Sequence, residues 1–284
     1  MDRDSVLAFF PQGRWNERNA NGEDITIDVP GMGYFSFDRM TLTEREKLLI
    51  ELLQNQAETY ARSPWQSYFE NDGIRPTTFS LLQVLHVHIW SSIDQEGQTA
   101  WLDMMKQLLP NLQASYSPES NHHIFILDQS TLLDVREILG DTLATMEFDF
   151  GLRMTIFLGQ LWPEWLESQW PLLIQAEQDL FRKWCAGHQQ SFLLTFSYLY
   201  LWSGQSYLQL QSGLRQLISN QQMEAIIEAL WEEGAVLTKA AQKLYLHRNT
   251  LQYRLDKWQE MTGLQLKDLN DLAICHQAIL GMSI

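Results

Sequence analysis

The sequence is poor in cysteine and has no recognisable export signal. Its 284 residues include two cysteines, Cys185 and Cys275, and no CxxC spacing. A disulfide framework is therefore excluded, and two buried free thiols in a reducing compartment are expected. The first residues, "MDRDSVLAFFPQGRW", lack the cationic start, long apolar stretch and small-residue cleavage site of a secretory signal. These features predict a cytoplasmic protein.

Long apolar runs are also missing. The most apolar one, residues 191–202, is shorter than the roughly 20 residues that span a bilayer and contains hydroxyl groups, so it predicts a buried helix. The composition, 45% hydrophobic and 19% charged, is that of an ordinary globular protein. A chain of this length is expected to fold into two or three domains, with no partner role for a membrane.

Positive charge is scarce, and where it occurs it is concentrated. The chain has 20 Lys and Arg against 35 Asp and Glu, a net charge of -15. Such a field repels phosphates and excludes a protein that coats nucleic acid by bulk attraction. Between Ala235 and Asn270, however, six basic residues face three acidic ones, a net charge of +3. Any contact with nucleic acid must therefore be local.

The motifs of common enzyme classes are absent. The sequence contains no GxSxG, no P-loop, and no GxGxxG in a strand-to-helix context. His86 and His88 lie two apart in a predicted strand, but no nearby Cys/His set completes a metal site, and the pair His122-His123 points to opposite faces. The carboxylates between Asp128 and Asp149 have the spacing of solvated helix faces. We therefore predict no enzyme, no metal and no cofactor.

Hydrophobic periodicity outlines an amino-terminal segment. Residues 24–38 alternate apolar and polar side chains around Pro30-Gly31-Met32-Gly33, which predicts a β-hairpin. A capping box at Thr43 and Glu46 begins a predicted amphipathic helix that ends before Pro64. The following "FENDGIRPTT", residues 69–78, is interpreted as a linker.

The middle of the chain alternates between strand and helix patterns. After Gly187 the chain is predicted to be wholly helical, with Gly204 and Gly213 separating helices, Ser219 or Asn220 capping the next helix, and Gly234 ending it. The fold class is therefore α+β, mostly helical. Strands are predicted over residues 79–90, 122–129 and 151–159, and helices over residues 98–109, 131–146 and 164–184, the last interrupted or bent near Pro171.

The basic segment has the pattern of a helix-turn-helix. Thr238 can cap a short first helix, and Ala240 and Ala241 permit the close approach of a second helix. Leu244, Leu246, Leu251 and Leu255 supply the joint core, and Trp258 continues the buried side. In this motif the second helix places its early residues against base edges in the major groove. Arg248 suits a bidentate contact with guanine, and the polar residues available for bases or phosphates are Asn249, Thr250, Gln252 and Tyr253.

The same residues resemble a known family. The segment "LTKAAQKLYLHRNTLQYRLDKWQEMTGLQLKD" is similar to the carboxy-terminal helix-turn-helix of PucR-family bacterial transcription regulators, which include regulators that respond to sugar diacids. Its core also resembles the DNA-binding end of the factor for inversion stimulation. At the turn position where such proteins carry glycine, this chain has Tyr245. This second resemblance places DNA contacts at Arg248, Thr250, Gln252 and Tyr253, with His247 at the start of the helix. The full set of predicted DNA-binding residues is Thr238, Lys239, His247, Arg248, Asn249, Thr250, Gln252, Tyr253, Arg254 and Lys257.

The PucR resemblance also implies an organisation for the rest of the chain. Such regulators often carry a degenerate GGDEF-like α/β domain before the helix-turn-helix, and no GGDEF or GGEEF loop occurs here. The expected function is a transcription regulator that binds double-stranded DNA as a homodimer. A small-molecule effector is a further expected partner. The expected domains are a regulatory fragment at 1–78, the GGDEF-like domain at 79–187, a helical connector at 188–218 and the helix-turn-helix domain at 219–284.

Two other functions stay open at this point. The chain is alternatively an enzyme or nucleotide-binding sensor in which the helix-turn-helix is an accessory module. A third interpretation is a protein-interaction module whose helix-turn-helix no longer contacts DNA. Turnover assays with nucleotides and salt-sensitive DNA binding distinguish these classes from a regulator.

Overall fold

The structure, a computed structural model, describes residues 13–16, 24–29, 33–38, 43, 62–91, 95–119, 121–205 and 207–280. The chain divides into two compact units, Met1–Arg62 and Ser63–Ile284. The first contains an antiparallel sheet with strand order β1-β3-β2. Pairing of Val29 with Gly33 confirms the predicted hairpin. The helix predicted after Thr43 lies outside the described residues. The strands are β1 (Arg14–Asn16), β2 (Asp24–Val29) and β3 (Gly33–Asp38).

The second unit is built on a mixed sheet with helices on both faces. Its strand order is β5-β6-β4-β7-β9, and β8 pairs with the beginning of β4. All of these pairs are antiparallel except β7 with β9. The strands are β4 (Leu81–Ile89), β5 (Leu112–Glu119), β6 (His122–Asp128), β7 (Met154–Leu158), β8 (Trp162–Pro163) and β9 (Phe192–Thr195).

The helices of this unit follow the strands in an alternating order at first and then succeed one another. A 3-10 helix, Glu164–Gln169, directly precedes the fourth α-helix, so the helix predicted over residues 164–184 is interrupted beside Pro171, as predicted. The α-helices are α1 (Pro64–Phe69), α2 (Gln95–Leu108), α3 (Val135–Phe150), α4 (Trp170–Gly187), α5 (Phe196–Ser203), α6 (Leu208–Asn220), α7 (Glu224–Glu232), α8 (Leu237–Lys243), α9 (Arg248–Thr262) and α10 (Leu269–Leu280).

Both faces of the sheet are apolar because both are covered. On one face, Leu85 of β4 and Ile156 of β7 belong to a core with Trp101 of α2 and Leu139 of α3. On the other face, buried side chains of β4, β6 and β7 pack in one continuous core with α4 and with the helices that follow, as far as Ile279. Strands buried on two sides need near-continuous hydrophobic sequence, which β4, β6 and β7 have. The carboxy-terminal helices therefore share a core with the sheet.

The prediction that the chain is wholly helical after Gly187 is wrong at one place. Residues 192–195 form β9, which pairs in parallel with β7, because this short apolar run extends a sheet that is already buried. The prediction that Gly213 separates two helices is also wrong, since it lies inside α6. A Cβ at Gly213 would lie 2.8 Å from a ring atom of Trp162 and 2.8 Å from Cδ2 of Leu173. The glycine thus permits close packing, whereas Gly204 does end α5, with a φ of 57°.

The segment interpreted as a linker, residues 69–78, belongs to the second unit. The Arg75 guanidinium donates to Glu164 and Glu167 at 3.1 and 2.9 Å, and it lies 4.6 Å above the ring of Trp170. Its side chain is only 6% exposed, so the ion pairs are shielded from water on the arginine side. These contacts fix the segment against the 3-10 helix, and it does not separate two units.

A group of ionisable side chains is buried between the sheet and α4. Glu177 of α4 is fully buried, and its Oε1 accepts hydrogen bonds from the backbone nitrogen of Gln160 (3.0 Å) and from Nε1 of Trp162 (2.9 Å). Its other oxygen lies 4.0 Å from Nε2 of His86, which is also fully buried. Burial raises the pKa of Glu177 to about 8 and lowers the pKa of His86 well below its usual value. Neither group is therefore charged at neutral pH.

The two cysteines are buried and free, as predicted. Burial raises the pKa of the Cys185 thiol to about 12, and the pKa of Cys275 is also raised. Thiolate formation is thus disfavoured at both positions. Among the helices that the structure describes, none has the length and apolar character needed to cross a membrane.

Candidate nucleic-acid interface

The predicted helix-turn-helix is present as α8 and α9. Ala240 and Ala241 are buried where the two helices pack, and Leu251 and Leu255 are buried on the facing side of α9. Trp258 is 2% exposed and joins the same core, as its position after Leu255 predicted. The small alanine side chains bring the two helix backbones close together. The core residues therefore fix the direction in which the opposite face of α9 is presented to solvent.

The turn between the helices closes through a left-handed residue. Tyr245 has a φ of 53°, and its amide donates to the carbonyl oxygen of Gln242, while the amide of Leu246 donates to that of Ala241. This pair of bonds is the Schellman arrangement, which favours glycine at the left-handed position. The ring of Tyr245 is 97% exposed. Tyrosine thus occupies the glycine position with the backbone conformation that glycine prefers.

We predict that Tyr245→Gly stabilises the protein by about 0.5–1 kcal/mol, because it relieves the left-handed strain and removes no packed side chain. Denaturant unfolding measures the change in free energy. Tyr245→Ala is the matched control, since it removes the same ring but keeps a Cβ, and it should give little or no gain. Equal stabilisation by both variants would show that the ring, and not the backbone conformation, is responsible.

Two predicted helix caps are wrong. Val236 precedes α8, no side chain caps that helix, and Thr238 lies in its first turn. Similarly, Met223 precedes α7, because α6 continues to Asn220 and leaves only a short turn before α7 begins. Continuation of α6 places Ser219 and Asn220 inside a helix. Thr238 is exposed, and its hydroxyl is therefore presented to solvent at the start of α8.

The beginning of α9 is accessible to solvent. Nδ1 of His247 accepts a hydrogen bond from the amide of Asn249 at 3.3 Å, so His247 caps the helix. Arg248, Asn249 and Thr250 are exposed, and Tyr253 is 68% exposed one turn later. The backbone amides at a helix start carry a partial positive charge, which favours the binding of a phosphate nearby. This end of α9 thus combines polar side chains with a favourable local field.

The other predicted contact residues have different environments. Thr238, Lys239 and Lys257 are exposed. Arg254 is half-buried and donates to the carbonyl oxygen of Gln222 at 3.0 Å, which ties α9 to the turn before α7. Gln252 is also half-buried; its amide nitrogen donates to Asp256 and its oxygen accepts from Lys267. The structure therefore places the freest side chains at the start of α8 and the start of α9.

The basic character of the surface is reduced by nearby carboxylates. Lys243 forms ion pairs with Glu232 and Glu233 of α7. The hydrogen bond from Lys243 to Glu232 raises the pKa of the lysine and keeps its charge paired. Arg248 and Lys257, by contrast, are exposed cations within the helix that carries the predicted contacts. The positive charge available to a phosphate thus comes from Arg248 and Lys257 of α9 and from the exposed Lys239 of α8.

The end of α9 is fastened to the sheet by a residue that no sequence motif indicated. Nε2 of Gln160 donates to the carbonyl oxygen of Thr262 at 2.5 Å and to that of Leu161 at 3.1 Å. Next to this bond, Gly263 ends α9 with a φ of 73° and lies against Leu161. Gln160 and Thr262 are remote in sequence, so no local pattern predicts that they meet. Both are polar residues that the fold buries. The geometry of α9 is thereby coupled to the segment that follows β7.

The histidines considered as a metal pair have different environments. His86 is fully buried between Phe157 and Phe181, whereas His88 is half-buried, with Nε2 3.2 Å from the amide nitrogen of Asn121. Within the residues that the structure describes, no three His, Cys, Asp or Glu side chains are arranged to hold a metal ion.

Comparison with known proteins identifies a matching domain family and similar proteins. Residues 225–280 match the model of the PucR C-terminal helix-turn-helix domain. A "Leucine-rich protein" of Streptococcus dysgalactiae subsp. equisimilis is 31% identical over 279 residues, 96% of this chain and 98% of that protein. The "Carbohydrate diacid regulator" of Escherichia coli (strain K12) is 21% identical over 258 residues, 83% of this chain and 64% of that protein.

A solved structure is also similar. It is that of a regulator of polyketide synthase expression from Bifidobacterium adolescentis, with 13% identity and a TM-score of 0.36 over 72% of this chain and 80% of that chain. The matched PucR domain contains the whole of α8 and α9, where the exposed polar residues lie. The chain therefore belongs to one family with the streptococcal leucine-rich protein, and it is a PucR-type transcription regulator with a carboxy-terminal DNA-binding helix-turn-helix.

Proposed function

We propose that the chain reads promoter DNA by placing the beginning of α9 in the major groove. The observation that carries this proposal is the exposure of Arg248, Asn249 and Thr250 at the capped end of a helix whose other side is buried. Arg248 makes the bidentate base contact, since its guanidinium matches the two acceptors of guanine. The remaining residues contact bases or phosphates around it: Thr238, Lys239, His247, Asn249, Thr250, Gln252, Tyr253, Arg254 and Lys257.

Replacement of Arg248 tests this proposal. Arg248→Ala is expected to weaken binding to a site mapped by genomic footprinting by roughly 1–3 kcal/mol, the value of one good base contact. Fluorescence anisotropy at fixed salt measures the affinity. Arg153→Ala removes an exposed arginine from the sheet and should leave the affinity unchanged. Unchanged affinity in a folded Arg248→Ala protein would remove Arg248 from the DNA-binding site.

The charge distribution supports a local and salt-sensitive contact. The net charge of -15 opposes DNA binding by most of the surface, whereas residues 235–270 carry +3. Affinity should fall with rising salt as counterions are released by the phosphate-binding residues. If the full chain shows no salt-sensitive DNA binding, the helix-turn-helix acts instead as a protein-interaction module.

We further propose that the protein binds DNA as a homodimer. A single helix-turn-helix contacts only a few base pairs, and paired copies engage half-sites about one helical turn apart. The small local charge strengthens this argument, because one patch of +3 contributes little affinity. Sedimentation velocity should show an even assembly, free or on DNA, and exclusively monomeric protein under both conditions would contradict the proposal.

The sheet of the second unit supports the proposal of a degenerate GGDEF-like domain over residues 79–187. Its elements follow the order β4-α2-β5-β6-α3-β7, with β4 in the middle of the sheet, which is the split βαβ arrangement. We propose that this domain transmits a signal without catalysis, since the sequence has no GGDEF or GGEEF loop. A nucleotide turnover screen of the full chain tests the enzyme alternative.

The remaining assignments complete the proposal. A regulatory fragment at 1–78 and a connector at 188–218, which contains β9, α5 and most of α6, control a DNA-binding domain at 219–284. A regulator that binds promoter DNA acts in the bacterial cytoplasm, and a small molecule is the proposed effector. Because the core of the second unit continues from Trp65 to Ile279, all binding measurements should use the full chain.

A further inference from the structure

A cavity of about 530 Å³ lies between the sheet and the DNA-binding helix. Its sheet side is formed where the parallel strands β7 and β9 end, at Leu158 and Thr195, and its other side is formed by the second half of α9 and the residues after it. Small-molecule pockets usually measure about 300–1,000 Å³. The size of the cavity is therefore within the range of a ligand site.

One side-chain amide in this cavity has an oxygen without a hydrogen-bond partner. Gln160 is 3% exposed and lines the cavity, and its amide nitrogen uses both hydrogens on the carbonyl oxygens of Thr262 and Leu161. Since both neighbours are acceptors, the orientation of the amide is fixed. Its Oε1 accepts no hydrogen bond from any residue that the structure describes, and it is not one of the fully buried atoms. This oxygen is therefore accessible and can accept a hydrogen bond from a ligand that carries an N–H or O–H group.

The charges around the cavity select against anions. The lining contains five carboxylates and one cation, Arg136, a net charge of -4. Asp256 and Glu260 extend from α9, while Asp268 and Asp271 belong to the following loop and helix, and Asp134 stands at the start of α3. A dicarboxylate would be repelled by this arrangement, and an amine would be attracted. The lining thus differs from one suited to a diacid, the class of compound for which the Escherichia coli relative is named.

The carboxylates are dispersed around the cavity and do not converge. Within the described part of the chain, no three acidic, histidine or cysteine side chains meet at one point to hold a metal ion. Separated acceptors match a molecule that carries separated donors. An elongated organic cation meets both conditions, because each of its ammonium groups can donate up to three hydrogen bonds.

We propose that this cavity binds a small organic diamine, and that the bound diamine acts on the DNA-binding helix. It bridges the carboxylates of α9 and the unpaired oxygen of Gln160, which stands on the segment after β7. Because Gln160 also holds the last residue of α9, Thr262, occupancy of the cavity stabilises the docking of that helix against the sheet. The binding site stands on the cavity alone; the regulatory consequence rests on the proposed function in DNA binding.

Three probes of equal chain length test the chemistry. Isothermal titration of the full chain with 1,4-diaminobutane at low salt should give one site per chain, and added salt should weaken it. Butane-1,4-diol and succinate, which replace the amines by hydroxyl groups and carboxylates, should bind at least tenfold more weakly. Absence of diamine binding at millimolar concentration, equal binding of the diol, or preferential binding of succinate would each overturn the proposal.

A matched pair of variants tests the location. Asp256→Asn/Glu260→Gln removes two carboxylates four residues apart on α9, and it should weaken diamine binding at least tenfold. Glu224→Gln/Glu228→Gln removes two carboxylates with the same spacing on α7, where neither residue lines the cavity, and it should bind as the unmodified protein does. Thermal melts verify that both proteins are folded. Equal affinity in the two variants would show diffuse binding to an acidic surface and would overturn the assignment.

The Arg248→Ala protein separates this inference from the proposed function. It should bind 1,4-diaminobutane with unchanged affinity even though its DNA binding is impaired, because Arg248 does not line the cavity. Diamine binding without DNA binding by the unmodified protein would leave the site intact and refute the proposed reading of promoter DNA by α9. DNA binding without diamine binding would refute the site alone.

Discussion

Acidification from pH 6.5 to about pH 4 is expected to destabilise the protein steeply, because three histidines are buried without charge in the sheet. His86, His122 and His123 are at most 2% exposed. Desolvation lowers the pKa of His122 to about 3 and that of His123 to about 4, and it lowers the pKa of His86 well below its usual value. In the unfolded chain all three bind protons near pH 6.5. Acid therefore favours the unfolded state.

The direction follows from proton binding. Between pH 6.5 and about 4 the unfolded chain holds more protons on these histidines than the folded protein does, so stability rises with pH. Glu177 has the opposite effect, since its pKa is raised to about 8 by burial, and its contribution to stability is lost as pH rises from 4.5 to 8. Three histidines outweigh one carboxyl group below pH 6.5, and Glu177 prevails above it. Stability is thus expected to be greatest near pH 6.5.

Denaturant unfolding across the pH range measures this dependence. His86→Phe is the informative variant, because the ring nitrogens of His86 have no hydrogen bond among the described residues and its ring packs against Phe157 and Phe181. The variant should lose part of the acid sensitivity below pH 6.5. Above about pH 8, where the histidines are neutral in both states, its slope should equal that of the unmodified protein. An unchanged slope below pH 6.5 would show that His86 is protonated in the folded protein.

Local patterns sufficed to predict much of this fold. The hairpin of the first unit, the strands β4, β6 and β7, and the helices α2 and α3 all follow from periodicity and turn residues. The helix-turn-helix follows from a short segment, residues 238–262, which contains both the apolar residues of its core and the polar residues of its exposed face. Such elements carry their own hydrophobic pattern, so distant residues are not needed to recognise them.

The missed elements depend on distant partners. β5 contains serine and proline, so its own sequence does not predict a strand. It forms at the edge of the sheet because it pairs with β6. β9 is four residues long and forms only because β7 offers it an edge. Gly213 has the sequence character of a helix breaker but permits contact between α6 and Trp162. In each case tertiary packing outweighs a local preference.

The candidate site shows the same division. The exposed residues at the start of α9 belong to a contiguous motif, and their place follows from helix periodicity. Gln160 does not, since its role arises from a bond to Thr262 that joins two segments a hundred residues apart. The cavity beside it requires the ends of β7, β9 and α9 to meet. The sequence alone thus predicts the DNA-binding surface but not its attachment to the sheet.

Gly159→Ala is expected to destabilise the protein by at least about 3 kcal/mol, above the usual range for overpacking, because its surroundings include backbone and a buried carboxyl group. A Cβ at this position would come within 2.4 Å of Oε2 of Glu177 and 2.6 Å of the carbonyl oxygen of Val84. The first atom belongs to a side chain held by two hydrogen bonds, and the second to the central strand. Neither atom has room to move.

Gly187→Ala is the matched control for this substitution. Gly187 is the last residue of α4, and a Cβ there would meet no atom within 4 Å, so its replacement should be neutral or stabilise by about 0.4–1 kcal/mol. Denaturant unfolding near pH 6.5 compares the two proteins. Because a domain of this kind is stable by only about 5–15 kcal/mol in total, the Gly159→Ala protein should accumulate poorly or melt much earlier. If both variants have the stability of the unmodified protein, Glu177 is not held where the structure places it, and the segment that carries Gln160 to α9 is less constrained than its contacts imply.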